Sequence, residues 1–420
     1  MAGRGGDLTF SDAERAVDVL LGESYLAAQH ELPGLVAAGA AVLEAADALV
    51  YLVDLQQQAL VPFGGGHRPG TADVVAALSV DGSLAGRSFQ QGEVLTQAGE
   101  DDGVRVWLPL LSGAERLGVL AVTVERAREH DLGSSEFGSR LQRFAALVAE
   151  IVMTKTSYGD TIVRLRRRSA MGLAAELQWS LLPPLTFASS DVTVAGALEP
   201  AYRVAGDSLD YAVDRGVARL AVFDGMGHGL RSSQLASVAI AGYRNGRRSG
   251  LTLLDMAAGI HDALIEAFGG GAFTTGLLAD LDTDTGLLSW ISAGHPEPLL
   301  FREGRFIKAL SSSTAQPLGM QLPQDVARRP FTICREQLEP GDRVLLYTDG
   351  VTDARSPDGD FFGDQRLTDL LTRNYADALS APETLRRVVR SLLEHQQGQL
   401  TDDATLLLMQ WRGATHTLPT

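Results

Sequence analysis

Apolar residues recur at helical spacing over residues 12–30, with Val17, Leu20, Leu21 and Tyr25 on one side, and again among the alanines of 32–46. Alternation with a period of two then takes over. In 48–55, Leu49, Tyr51 and Val53 stand against Val50, Leu52 and Asp54, which predicts a strand. Residues 104–111 and 117–124 read the same way, and Ser112-Gly113-Ala114-Glu115-Arg116 between them suits a hairpin connection. A helix is predicted at 84–91, and another at 135–154 with Leu141, Phe144, Val148 and Ile151 on one face.

From 155 the pattern changes. An Arg-rich stretch carries Ile162, Leu165, Leu173, Leu177 and Leu181 as one helical stripe, and Pro183-Pro184 ends it, because proline lacks the amide donor and clashes with the preceding turn. Its arginines read as a solvated face, and its apolar seam suits contact with a second copy of the chain. Beyond 190, strands are predicted at 192–198, 211–213, 218–223, 273–281, 287–292, 298–301, 342–348 and 405–410. Helices are predicted near 232–247, 251–267 and 382–395. Many strands with helices grouped together predict an α+β fold with a sandwich in this half. The expected organisation is a sensor-like region at 12–154, a helical linker at 155–189, a second domain at 190–412 and a tail at 413–420.

Composition narrows the function. The chain has 420 residues, enough for two domains, and a formal net charge of −16, which disfavours nucleic acid as a partner. Cys334 is its one cysteine, so neither an internal disulfide nor a thiolate metal cluster is expected. Residues 1–10 lack the apolar core of a signal peptide, and the apolar region 35–53 is interrupted by Glu44 and Asp47. A cytoplasmic protein without membrane contact is the expectation.

The candidate chemistry lies in four acidic positions beside strands. Asp224 follows the run Ala221-Val222-Phe223 and opens a turn containing Gly225, Gly227 and Gly229, residues that allow sharp bending and an exposed carbonyl. Asp207 lies in Gly206-Asp207-Ser208, Asp349 in Thr348-Asp349-Gly350, and Asp402 in Asp402-Asp403-Ala404-Thr405. Clustered carboxylates without His or Cys select Mg²⁺ or Mn²⁺ over zinc. The run Asp280-Leu281-Asp282-Thr283-Asp284-Thr285-Gly286 resembles a calcium loop, but its glycine comes one position late and Ile291 occupies the final ligand position, so a hairpin turn is expected.

Two resemblances follow from these residues. Residues 20–154 resemble a GAF sensor domain, chiefly through Leu84-Ala85-Gly86-Arg87-Ser88-Phe89 and Val106-Trp107-Leu108-Pro109-Leu110. Residues 190–412 resemble the PPM (type-2C) metal-dependent serine/threonine phosphatases of the bacterial SpoIIE-like branch. The carriers are the Asp224 turn, Ser292-Ala293-Gly294-His295-Pro296, Tyr347-Thr348-Asp349-Gly350-Val351-Thr352-Asp353 and Asp402-Asp403-Ala404-Thr405. Ala205 and Ser208-Leu209 depart from that family's usual glycine and aromatic pair, which implies altered packing near Asp207.

The second resemblance implies two Mn²⁺ or Mg²⁺ ions, roughly 3.5–4 Å apart, activating a water for in-line attack on phosphorus. It implies Asp224 as a bridging ligand, the Gly225 carbonyl on one ion, Asp349 and Asp402 on the other, and Asp207 acting through water. His228 is either a proton relay to the leaving oxygen or an ordinary turn histidine. Arg203 is a candidate phosphate contact or a surface ion-pair partner. The implied substrate is a phosphoprotein, an anti-anti-sigma factor of STAS type, with an unknown small ligand at the GAF-like region and a homodimer through the linker. A metal-poor pseudophosphatase acting as a ligand-gated scaffold is the alternative.

Overall fold

A computed structural model describes residues 12–64, 75–99, 103–132, 136–199, 202, 206–313, 315–322, 330–398, 400 and 402–413. The chain divides into two compact units, residues 1–168 and 169–420.

The N-terminal unit is built on six antiparallel strands. They are β1 (Ala46–Val53), β2 (Ala59–Phe63), β3 (Leu78–Ser79), β4 (Leu95–Ala98), β5 (Gly103–Ser112) and β6 (Glu115–Glu125), in the order β3-β2-β1-β6-β5-β4. Helices α1 (Asp12–Ser24), α2 (Leu32–Val42) and α4 (Glu136–Thr156) cover one face, where Val50, Leu52, Leu108, Leu110, Leu120 and Phe144 are packed. Helix α3 (Leu84–Gln91) covers the other, with Tyr51, Val53, Trp107 and Phe89. Alternation therefore does not separate core from solvent here; it assigns side chains to two cores. α3 begins at Ser83, whose hydroxyl accepts from the Gly86 amide, and ends at Gly92 in the left-handed conformation.

The single helical stripe expected over 162–181 is not one helix. Helix α5 (Thr161–Arg166) is ended by Arg167, which is extended, and α6 (Leu173–Leu181) starts six residues after it. Ile162 is buried in the N-terminal core and Leu165 packs against it, whereas Leu173 is 71% exposed on a helix of the C-terminal unit. The spacing matched a helical period, but the leucines answer to two different bodies. Arg166 Nε donates to the Val53 carbonyl at 2.9 Å, and the buried Gln29 side chain ties the α4–α5 junction through Lys155, Gly159 and Ile162.

The C-terminal unit holds two antiparallel sheets. The first contains β9 (Asp207–Asp214), β10 (Val217–Gly225), β11 (Thr274–Asp282), β12 (Leu287–Ala293) and β15 (Cys334–Gln337), in the order β15-β12-β11-β10-β9. The second contains β7 (Thr186–Ala188), β8 (Val192–Glu199), β13 (Leu299–Arg302), β14 (Arg305–Ala309), β16 (Arg343–Tyr347) and β17 (Ala404–Trp411), in the order β14-β13-β16-β17-β8-β7. The two meet through Leu209, Leu220, Val222, Leu277, Val194, Leu346, Leu407 and Met409. Alternate residues face outward: Ala221 and Phe223 lie under α7 (Leu230–Arg248) and α8 (Leu253–Phe268), and Leu345, Leu406 and Leu408 under α10 (Gly363–Ala376) and α11 (Ala381–His395). The run at 280–286 is the β11–β12 turn, closed by the Asp282 carboxylate accepting from the Asp284 and Thr285 amides. Among the described residues no helix is long and apolar enough to cross a membrane.

Candidate metal centre

Strand register brings the acidic positions together. β9 and β10 set Asp207 opposite Asp224, and β10 and β11 set Thr275 opposite Asp224. Opposed residues of an antiparallel pair share a face. Asp207, Asp224 and Thr275 therefore form a row on the side that carries Leu209, Val222 and Leu277, facing the second sheet. In that sheet β16 ends just before Thr348 and Asp349, the latter opening the short helix α9 (Asp349–Thr352), and β17 begins just after Asp402 and Asp403.

Side chains stitch the two sheets at this end. The Thr348 hydroxyl donates to Asp207 Oδ2 at 2.6 Å and accepts from the Thr405 amide at 2.9 Å. Asp403 Oδ2 accepts from the Gly206 and Asp207 amides at 2.5 and 3.2 Å, while Asp403 Oδ1 is buried without a partner. Close backbone approach explains two glycines. A Cβ on Gly350 would lie 1.8 Å from the Asp403 carbonyl oxygen, and one on Gly225 would lie 2.7 Å from that of Ser232 in the first turn of α7. Gly227 and Gly229, at φ +85° and +77°, supply the left-handed bends that return the chain into α7.

Helix α6, which the sequence assigned to a linker, supports this end of the unit. The buried Gln178 side chain donates to the Asp207 carbonyl, and Arg244 of α7 clasps the Leu181 carbonyl and Asp210 together.

Burial acts first on the carboxylates, and after it they act on one another. Burial first, then Asp224 and Asp403, raise Asp207 well above the usual carboxylate range. Burial, then Asp349, Asp402 and Asp403, push Asp224 up to about 7. Burial, Asp353 and Asp402 raise Asp349, and burial pushes Asp403 up to about 6 against the pull of the Gly206 and Asp207 amides. Among the described residues no three carboxylate, imidazole or thiol groups close around one point. Like charges without a counter-ion repel, and a cation is what would draw them together. The all-oxygen donor set, the mutual repulsion and the orphaned Asp403 Oδ1 fit a hard divalent cation.

Asp207, Asp224, Gly225, Asp349 and Asp402 thus lie at one end of the two sheets. His228 is exposed in the turn between β10 and α7. Arg203 and Ala205 lie outside the described residues. Ser208 and Leu209 are buried, Leu209 in the core between the sheets. Sequence reasoning missed Thr348, Gln178 and the role of Asp403; the doubled Asp402-Asp403 was the one signal available, since a buried second acid beside a ligand needs its own partners.

Residues 214–412 match the family model of stage II sporulation protein E (SpoIIE). Among curated proteins, the chain is 38% identical over 136 residues to protein IcfG of Synechocystis sp. (strain ATCC 27184 / PCC 6803 / Kazusa), covering 32% of this chain and 20% of that protein. It is 24% identical over 243 residues to phosphoserine phosphatase RsbU of Bacillus subtilis (strain 168), covering 58% of this chain and 70% of that protein. The chain therefore spans only about a fifth of IcfG. Among solved structures, the SiaA-PP2C domain of Pseudomonas aeruginosa aligns at 20% identity with a TM-score of 0.46, over 57% of this chain and 94% of that one.

Proposed function

We propose that the C-terminal unit is a metal-dependent protein serine/threonine phosphatase. One observation carries the reading: acidic groups from both sheets lie at one end and raise one another, with Asp207 and Asp403 buried and Asp224 pushed up to about 7. The match to the SpoIIE family model and the likeness to a phosphoserine phosphatase support it. Asp224, the Gly225 carbonyl, Asp349 and Asp402 would hold two Mn²⁺ or Mg²⁺ ions, with Asp207 reaching the site through water. When bound, the ions supply charge neutralisation at a phosphoryl group and activation of water.

The chain's own residues do the rest. Thr348 fixes the Asp207 carboxylate, and Asp403 holds the Gly206-Asp207 backbone with its Oδ2. The apolar layer between the sheets closes the inner side of the site to water. No covalent intermediate is required of the protein, and His228, exposed at the lip, is open to proton exchange with a leaving serine or threonine oxygen. The substrate in this reading is a phosphorylated protein of anti-anti-sigma (STAS) type, and the enzyme works in the cytoplasm as a homodimer. The N-terminal unit is a GAF-type sensor whose ligand regulates the phosphatase; six antiparallel strands between helical layers support that assignment.

The test is hydrolysis of a chromogenic aryl phosphate with Mn²⁺, with and without chelator, by wild type and Asp224→Asn. Metal-dependent turnover lost in the variant is expected. Turnover that survives Asp224→Asn refutes the assignment, and Mn²⁺ binding without any hydrolysis favours a binding scaffold instead.

A further inference from the structure

His295 stands two residues beyond the end of β12, in a turn locked by Ser292, whose hydroxyl donates to the His295 carbonyl and accepts from its amide. Gly294 makes that turn at φ +68°, where a Cβ would meet Pro317 at 2.9 Å. The imidazole is directed inward and is 7% exposed. Its Nδ1 is hydrogen-bonded to Thr275 Oγ1 at 2.9 Å. The rest of the ring is buried against the Tyr347 backbone, whose hydrogen-bonding pull works against the effect of burial. Burial pushes the imidazole down to about 3, so it is neutral at any working pH.

These contacts fall on two strand ends. Thr275 is the register partner of Asp224, and Tyr347 is the last residue of β16, two positions ahead of Asp349. One neutral ring thus spans the strand beside the first carboxylate and the strand that delivers the second, one in each sheet. A buried imidazole is costly unless its polar atoms find partners, and the partners here lie on Thr275 and at the β16 terminus. We propose that His295 is a positioning residue of the metal centre, bridging Thr275 and the β16 terminus so that Asp224 and Asp349 are held at the separation a cation pair requires. This rests on the metal-centre reading above.

The test measures Mn²⁺ affinity by calorimetric titration into the full chain, together with the unfolding midpoint in chelator. His295→Phe and Thr275→Val should each weaken Mn²⁺ binding about tenfold, as loss of groups that orient ligands does. The double variant should be no weaker than either single one, because both remove the same bond. His295→Asn keeps a polar atom near the Nδ1 position and should retain more affinity than His295→Phe. Full affinity in His295→Phe overturns the proposal, as do losses that multiply in the double variant. A metal-free midpoint that falls in step with affinity overturns it too, since that marks a merely structural role. If His295→Phe does not fold, Thr275→Val and His295→Asn decide in the same way. Asp224→Asn keeps the two readings apart: Mn²⁺ binding indifferent to Asp224 sinks the metal centre itself, whereas binding that needs Asp224 but not His295 or Thr275 sinks only this inference.

Discussion

Asp224→Asn should stabilise the metal-free protein while abolishing its metal binding. In the folded chain the Asp224 carboxyl is raised from 3.8 to about 7, by burial and then by Asp349, Asp402 and Asp403. The folded state therefore holds this proton more tightly than the unfolded chain does. Below the unfolded value both states are protonated and nothing is lost; as pH rises from about 4 to about 7 the folded state alone is penalised, and above that the penalty is complete. The distance from 3.8 to about 7 corresponds to ~4 kcal/mol. Asp207 and Asp403 shift in the same direction through the same repulsion, so their effects overlap with this one instead of adding to it. The amide carries no charge, and for a domain of this size the gain amounts to roughly 10 °C in midpoint. Thermal unfolding in chelator, at about pH 5 and about pH 8, checks this. Wild type should lose stability towards the higher pH, and the variant should lose less and lie above it there. Added Mn²⁺ should raise wild type and leave the variant unmoved. A variant no more stable than wild type at about pH 8, or a difference that does not shrink at about pH 5, refutes the reasoning.

Gly350→Ala should disable the site: its Cβ would need the space of the Asp403 carbonyl oxygen 1.8 Å away, and the backbone shift should cost about 1–3 kcal/mol in unfolding and most of the Mn²⁺ affinity. Asp403→Asn keeps an oxygen for the Gly206 and Asp207 amides and should retain more turnover than Asp403→Ala, whereas Asp402→Asn and Asp402→Ala should be equally poor; the reverse pattern places the ligand one residue later. Leu173→Glu with Leu177→Glu puts charge on the outer side of α6, where Leu173 is 71% exposed, and should leave a monomer by sedimentation with unchanged metal binding; a wild type already monomeric refutes the dimer.

The strands that carry the site were legible because alternation survives burial on both faces. Val222 and Ala221 point into different cores, yet the run still ends on Asp224. The carboxylates were legible because each follows or precedes such a run. Their partners were not: Thr348 reaches Asp207, and Asp403 reaches Gly206, only once strands from separate sheets have met, and no local spacing encodes that meeting. Helix α10 was missed because its buried apolar positions are few, Leu367 and Leu371 with Leu370 half-packed. The stripe through Leu165 and Leu173 failed for the opposite reason, since periodicity was present but could not say which body buries each side chain.

The pairing of β8 with β17 has a consequence for how the protein is made. Eight residue pairs join them, from Val192 with Trp411 to Glu199 with Ala404, and β17 also completes β16 through Tyr347 and Leu406. During synthesis β8 emerges some two hundred residues before its neighbour, so it waits as an open edge, and so does β16 for a shorter time. Asp402 and Asp403 arrive together with the strand that closes the sheet. A nascent chain that ends before 402 holds Asp224 and Asp349 but lacks Asp402, Asp403 and the strand that follows them, so the acidic cluster is complete only once β17 has been made, and until then the open edges of β8 and β16 are prone to edge-to-edge association.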